Sequence, residues 1–312
     1  MRTLKGVTAL VFVAAFAAAC SSGAPSPSPA PSAAAPTAAP TAAPTVAPTL
    51  DACAPANLTL KTPGKLTLGS DNPAYPPYFA MSSPNPAPWE LGDPTNGQGF
   101  ESAVAYAIAD KLGFAKDQVT WVATPFTNAI QPGPKAFDVY FQEVSYTAER
   151  AQAVDLTDGY YDVAQAVVAL AGSPIAKVTT IAGLKDFQFG AQVGTTSYNL
   201  IGSVIAPTKE AKVYDTNDAA LTALNNGQID GLVTDLPTSF YMTAAQMDGK
   251  GVIVGQFPVQ PGGEHFSAVL DKGNPLTACV NAAIGALKAD GTLAKITQEW
   301  LADKANAPVF QP

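Results

Sequence analysis

Asp218-Ala-Ala-Leu-Thr-Ala-Leu-Asn-Asn-Gly-Gln-Ile-Asp-Gly-Leu-Val-Thr-Asp235 carries one whole unit of the fold. Asp218 to Asn226 reads as a helix, Gly227 stops it, and Ile229 to Thr234 is an apolar strand ending on Asp235. The same grammar extends in both directions. Lys65 to Ser70 is a strand entering the turn-rich loop Asp71-Asn72-Pro73-Ala74-Tyr75-Pro76-Pro77. Glu101 to Leu112 is a helix whose Val104, Ile108 and Leu112 share a face, with Gly113 as its stop. Val119 to Ala123, Phe137 to Phe141, Val163 to Leu170 and Phe187 to Val193 are further strands. Leu276 to Ala289 and Leu293 to Leu301 are closing helices, the second presenting Ile296 and Trp300. Strands alternating with helices predict an α/β architecture of mostly parallel sheets covered on both faces. Ligands in such folds bind at the carboxyl ends of strands. The informative loops are therefore 70–79, 124–135, 142–150, 194–197 and 235–238.

The amino terminus has a different character. Arg2 and Lys5 precede an apolar run, Val7 to Ala19, that is short for a bilayer span, and small residues lead into Cys20. This reads as a secretory signal peptide over residues 1–20, and its Ala-Ala-Ala-Cys ending resembles a bacterial lipobox, with Cys20 as the lipidated residue. Ser21 to Leu50 contains no charge and repeats a four-residue period at Pro36, Pro40, Pro44 and Pro48. Such a segment buries no core, and residues 21–56 are expected to form a semi-extended tether. At about 3.1 Å per residue, thirty residues reach on the order of 90 Å at most. The expected location is extracytoplasmic, anchored to the membrane through lipid.

Composition excludes several classes. The chain carries 17 Lys and Arg against 25 Asp and Glu, a net charge of −8 that becomes −10 once Arg2 and Lys5 leave with the leader. An acidic domain without a basic run is a poor partner for nucleic acid or anionic lipid. Histidine occurs once, at His265, so no multi-histidine metal site is available, and no cofactor is expected. Gly-x-Ser-x-Gly, His-Glu-x-x-His and Cys-x-x-Cys are all missing from the sequence. Beyond Cys20 only Cys53 and Cys279 remain, which in an oxidising compartment form either one disulfide or two buried thiols.

Three strand-end features make a candidate site. Ser145-Tyr146-Thr147-Ala148-Glu149-Arg150 follows a strand, and Arg150 offers a planar fork that matches a carboxylate. Gly194-Thr195-Thr196 follows another and supplies backbone N–H groups and hydroxyls for an anion. Asp235 closes a third and suits an ammonium. Together they describe an α-amino-acid site, although each piece alone fits a surface charge, a turn or a helix cap.

Lys65-Leu-Thr-Leu-Gly-Ser-Asp, Tyr75-Pro-Pro, Gly99-Phe-Glu-Ser, Phe137-Asp-Val, Ser145 to Arg150, Asp158-Gly-Tyr-Tyr, Val193-Gly-Thr-Thr, Asn226-Gly-Gln-Ile-Asp, Leu287-Lys-Ala-Asp-Gly-Thr and Trp300 run through the chain in order. In these motifs the chain resembles the family 3 extracellular solute-binding proteins. The resemblance implies a periplasmic-binding-protein-like fold of two α/β lobes, residues 57–163 with 263–312 and residues 164–262. Two hinge crossings join them, near Tyr161–Val163 and Gly262–His265. It also implies capture of a polar or charged amino acid by a monomer and its delivery to an ABC importer permease. By the same resemblance, Arg150 grips the α-carboxylate with Thr195 and Thr196 helping. Asp235 holds the α-ammonium with the Glu143 carbonyl and the Ser145 hydroxyl. Asp71 or Asn72, Tyr75 and Phe126 line the side-chain pocket. The Glu143 side chain is expected in solvent, His265 in a hinge-packing role, and a Cys53–Cys279 bridge within one lobe. No catalytic residue is expected; the alternatives are a dehydratase-like enzyme on the same fold or an amino-acid sensor module.

Overall fold

The computed structural model describes residues 48–259, 263–302 and 307–312. The leader, Cys20, the tether up to residue 47 and Gly262 at the second expected crossing lie outside the described residues. In chain order the strands are β1 (Leu66–Ser70), β2 (Val119–Ala123), β3 (Val139–Tyr140), β4 (Asp155–Leu156), β5 (Tyr161–Asp162), β6 (Gln165–Leu170), β7 (Phe189–Gln192), β8 (Lys212–Tyr214), β9 (Gly231–Asp235), β10 (Gly251–Gln256), β11 (His265–Phe266) and β12 (Val269–Leu270). The helices are α1 (Phe100–Lys111), α2 (Phe126–Ile130), α3 (Arg150–Ala153), α4 (Thr196–Leu200), α5 (Asn217–Asn225), α6 (Leu236–Tyr241), α7 (Leu276–Ala289) and α8 (Thr292–Leu301).

Two five-stranded sheets define two lobes, ordered β2-β1-β3-β12-β4 and β10-β6-β9-β7-β8. β1 pairs in parallel with β2 and β3, and β7 in parallel with β8 and β9. The sheets are nevertheless more mixed than the mostly parallel pattern expected. β12 runs antiparallel to β3 and β4, and β6 antiparallel to β9 and β10. The cause is connectivity. β6 and β12 are the strands laid down just after the chain passes β5 and β11, so no crossover helix constrains their direction.

Each sheet is covered on both faces. In the first lobe Leu66, Leu68, Phe100, Ile108, Val280 and Ile284 form one core, and Phe126, Phe137, Tyr140 and Val269 the other. In the second, β6 alternates: Val167 and Ala169 join Phe189 and Val233, while Val168 joins Leu221, Leu224 and Leu232. The start of α1 depends on Gly99, whose φ of +91° is in the left-handed region and whose Cβ would lie 2.5 Å from the Tyr78 carbonyl oxygen.

β5 and β11 pair antiparallel between the sheets, with His265 opposite Asp162 and Phe266 opposite Tyr161. Tyr161 packs against Phe100 and Phe266 at centroid distances of 5.1 and 5.5 Å. His265 stacks on Tyr146 at 5.4 Å with 16° between planes, and its Nδ1 lies 3.0 Å from the Gly263 carbonyl oxygen. The histidine is thus a packing ring beside the hinge.

Both ends of the folded region depart from the expected boundaries. Leu50–Cys53 and Pro55–Asn57 are already 3-10 turns, because Cys53 is buried and bonded to Cys279 in α7. At the other end, residues 307–312 leave the first lobe. Phe310 is buried in the second lobe's core beside Phe257, and its N–H donates to the Gln256 carbonyl at 3.0 Å. The Ile181 N–H in turn donates to the Gln311 carbonyl at 2.8 Å. Leu301 at the end of α8 is still in the first lobe's core, so the chain passes between lobes a third time. An apolar Val309-Phe310 pair that finds a ready slot beside β10 is the physical reason.

The disulfide closes a loop of 226 residues. The chain-entropy argument gives it at most about 5 kcal/mol of stabilisation. Replacing Cys53 and Cys279 together by Ala should lower the urea midpoint by a measurable part of that figure and make the 50–57 turns the first site of proteolytic cleavage. An unchanged midpoint would remove the bridge from the account of stability.

Candidate functional site

The carboxyl ends of the two sheets face each other across a cavity enclosing roughly 540 Å³ between its walls and mouth. The first lobe contributes Asp71, Pro73 and Tyr75 after β1, Phe126 opening α2, Gln142 and Glu143 after β3, and Arg150 opening α3. The second contributes Gln192 at the end of β7, Thr195, Thr196 and Ser197 around the start of α4, Thr216 and Asn217 at α5, and Thr234 and Asp235 at the end of β9.

Arg150 is 8% exposed, and its guanidinium lies 5.4 Å from the Phe126 ring centroid. Nη1 donates to the Ser145 carbonyl at 2.5 Å and Nη2 to the Gly194 carbonyl, in the other lobe, at 2.8 Å. Gly194 has φ +73°, which turns the chain between β7 and α4 where that carbonyl meets Arg150. Two of five N–H donors are thus used, and among the described residues no carboxylate forms an ion pair with Arg150. Burial pushes the guanidinium below its usual value, opposed by the Glu264 and Asp235 charges. A buried, unpaired guanidinium is a receptor for an anion.

Thr195 caps α4, its Oγ1 accepting from the Tyr198 N–H at 3.1 Å. Thr196 Oγ1 reaches Ser145 Oγ across the cleft at 3.5 Å. Asp71 lines the cavity and accepts from the Asn72 N–H at 2.7 Å and the Phe126 N–H at 3.1 Å. Burial raises its carboxyl despite those two bonds. Asn72 turns away, donating to the Pro88 carbonyl at 2.8 Å and accepting from the Glu90 N–H at 3.0 Å. It pins the segment around Trp89, which is buried but lines no part of the cavity. Tyr75 Oη is buried without a hydrogen-bond partner; burial, then the nearby Asp218 charge, pushes the phenol up.

The Glu143 side chain lines the cavity, which corrects the expectation from sequence that it lies in solvent. Its φ is +53°, its N–H donates to Glu101 Oε1 at 2.8 Å, and its Oε2 accepts from Thr238 Oγ1, in the other lobe, at 2.8 Å. That left-handed backbone, held by a buried carboxylate behind it, turns the side chain inward. Asp235 is 8% exposed and accepts a hydrogen bond from Gln165 Nε2. Burial first, then neighbouring carboxylates, hold both Glu143 and Asp235 well above the usual carboxylate range. Three carboxylates and one guanidinium therefore line one enclosure. Among the described residues no cluster of His, Cys, Asp and Glu is arranged to hold a metal ion.

Glu101, Gln165, Thr238, Thr216, Asn217, Gln192 and Thr234 are additions to the sequence reading. Thr216 and Asn217 follow β8, a three-residue strand with two exposed positions and no apolar signature. Gln165 and Glu101 had a usable signal: each is a polar residue inside an otherwise apolar buried pattern, which demands partners.

The model of the bacterial extracellular solute-binding proteins, family 3, matches residues 79–303. The chain belongs to this family. A probable histidine-binding protein of Campylobacter jejuni is 29% identical over 216 residues, 67% of this chain and 79% of that protein. The arginine-binding protein 1 of an Escherichia coli ABC transporter is 28% identical over 226 residues, covering 71% and 89%. The structure of an ancestral arginine-binding protein bound to glutamine superposes at a TM-score of 0.62 with 28% identity, covering 77% of this chain and 98% of that one. The fold is accordingly that of the periplasmic binding proteins.

Glu101 provides a pH test within this family scaffold. It is fully buried, accepts from Tyr160 Oη at 2.5 Å, and burial raises its carboxyl to about 7. The folded state then holds a proton between roughly pH 4.5 and 7 that the unfolded chain has released, so stability is lost as pH rises through 7. Relative to Glu101→Gln, the wild type should gain on the order of 3 kcal/mol as pH falls from 8 to 5, read from urea midpoints. Parallel pH profiles would contradict the assignment.

Proposed function

We propose that this solute-binding protein captures a cationic α-amino acid and hands it to an ABC importer permease. The supporting observation is the charge imbalance of the cavity: Asp71, Glu143 and Asp235 against Arg150 alone. Arg150 takes the α-carboxylate through its unused donors, with Thr195 and Thr196 completing the cradle. Asp235 takes the α-ammonium, with the Glu143 carbonyl and Ser145 hydroxyl beside it. Asp71, Tyr75 and Phe126 receive the side chain, and the Glu143 carboxylate supplies the charge that a cationic side chain neutralises. The relative named for arginine fits this charge class. Contacts across the cleft at Arg150, Glu143 and Thr196 form only when the lobes close, so ligand and closure favour each other. This is a carrier's device, and no step of bond breaking enters it.

Arg150→Ala should weaken binding roughly 30-fold to several-thousand-fold, because truncating one partner of a buried charge pair costs about 2–5 kcal/mol. Asp235→Ala should cost a similar amount. Glu143→Gln should lower affinity for L-arginine about tenfold or more while sparing L-glutamine. Calorimetric titration of the folded domain reads all three; near-wild-type affinity at Arg150 and Asp235 would overturn the site.

We further infer that the protein is lipid-anchored through Cys20 and held off the membrane by the tether. The lipobox-like Ala-Ala-Ala-Cys and the charge-free spacer support this. Cys20→Ser should move the protein from the membrane fraction to the soluble fraction with ligand affinity unchanged. Continued sedimentation with membranes would contradict the anchor.

A further inference from the structure

Gln165 opens β6 directly opposite Asp235 in β9, and its side chain is 2% exposed. Ser197 Oγ donates to Gln165 Oε1 at 2.5 Å, which leaves the amide nitrogen to face two carboxylates. Nε2 donates to Asp235 Oδ1 and to Glu264 Oε1, the latter at 3.1 Å. The orientation follows from the partners: the carboxylate oxygens of Asp235 and Glu264 accept while Ser197 Oγ holds the amide oxygen, so the NH₂ points at the two acids. Glu264 belongs to the returning hinge segment, its carbonyl accepting from the Val163 N–H at 3.1 Å. One amide therefore joins the hinge, the start of α4 and the carboxylate at the end of β9.

We propose that Gln165 is a positioning residue, whose single amide holds the Asp235 carboxylate toward the cavity and stands between it and Glu264. The amide places a positive dipole end between two acidic groups that would otherwise repel. Asp235 can hold an ammonium only as a carboxylate, so the device determines whether the site works at neutral pH. The inference rests on the reading of Asp235 as the ammonium's partner. The charged and titratable groups facing Asp235 are Glu264 from the hinge, Glu143 after β3, Glu101 on α1, Arg150 on α3, and the phenols of Tyr78 and Tyr161. Gln165, Asp235 and Ser197 lie in the second lobe, with Glu264 on the returning hinge segment.

The test is a carboxyl-carbon NMR titration of Asp235 in ligand-free protein, for wild type, Gln165→Met, Glu264→Gln and the double variant. Methionine keeps the length of the side chain and removes its donors. The Asp235 midpoint should rise by at least one pH unit in Gln165→Met and return toward wild type in the double variant. At neutral pH, L-arginine affinity should fall tenfold or more in Gln165→Met and recover in the double variant. A merely structural role predicts lost affinity with no midpoint shift and no recovery, and that result overturns the proposal. Should the methionine variant not fold, Gln165→Asn replaces it, keeping the polarity and drawing the amide back by one methylene: the Asp235 midpoint should rise, and an unmoved midpoint refutes the pairing. The titration needs no ligand, so failure of wild type to bind L-arginine would strike the cationic reading while the NMR result still decides the role of Gln165.

Discussion

Carboxylates outnumber cations in the cavity between the lobes, and the remaining architecture is organised around that imbalance. Asp71, Glu143 and Asp235 come from different strand ends, and Glu101 stands behind Glu143. In water such a group of like charges is screened; between closed lobes each loses solvation and feels the others. Only added positive charge, from protons or from a ligand, relieves it. Arg150 alone cannot, and part of its hydrogen-bonding capacity is already committed to two carbonyls. On the proposed function, a cationic amino acid favours the closed form, bringing two cations to the acids and one carboxylate to Arg150.

The fold supplies the geometry for this. Parallel strands deliver their carboxyl ends to one edge of each sheet, and the two crossing strands β5 and β11 hold those edges face to face. Aromatic packing of Tyr161, Phe100 and Phe266 surrounds the crossing, so that the pivot sits beside the site it controls. Residues 307–312 add a third connection by anchoring Phe310 in the second lobe.

Much of this is legible in the sequence, for identifiable reasons. α1, α5, α7 and α8 are periodic, and Gly113, Gly227 and Gly291 are local stops for the first three, so their bounds fall within a residue of expectation. Arg150 and Asp235 stand out because strand ends are where this architecture puts ligands. What escapes the sequence is set by tertiary contact. β12 and β3 are two-residue strands defined only by their neighbours. The inward turn of Glu143 depends on a positive φ at a residue that gives no glycine signal. Asn72 and Asp71 exchange no local cue, and only the segment ending at Glu90 shows that Asn72 is occupied elsewhere. Phe310 reads as a tail residue until β10 is seen to offer it a slot.

The central claim is that negative charge inside the cavity selects the ligand's charge class. Side-by-side calorimetric titration of the tetherless domain with L-arginine, L-lysine, L-glutamine and L-glutamate at neutral pH tests it most directly. The account predicts tight binding of the cationic pair, binding of glutamine weaker by about tenfold or more, and no measurable binding of glutamate. Affinity for glutamate equal to or above that for arginine would contradict it.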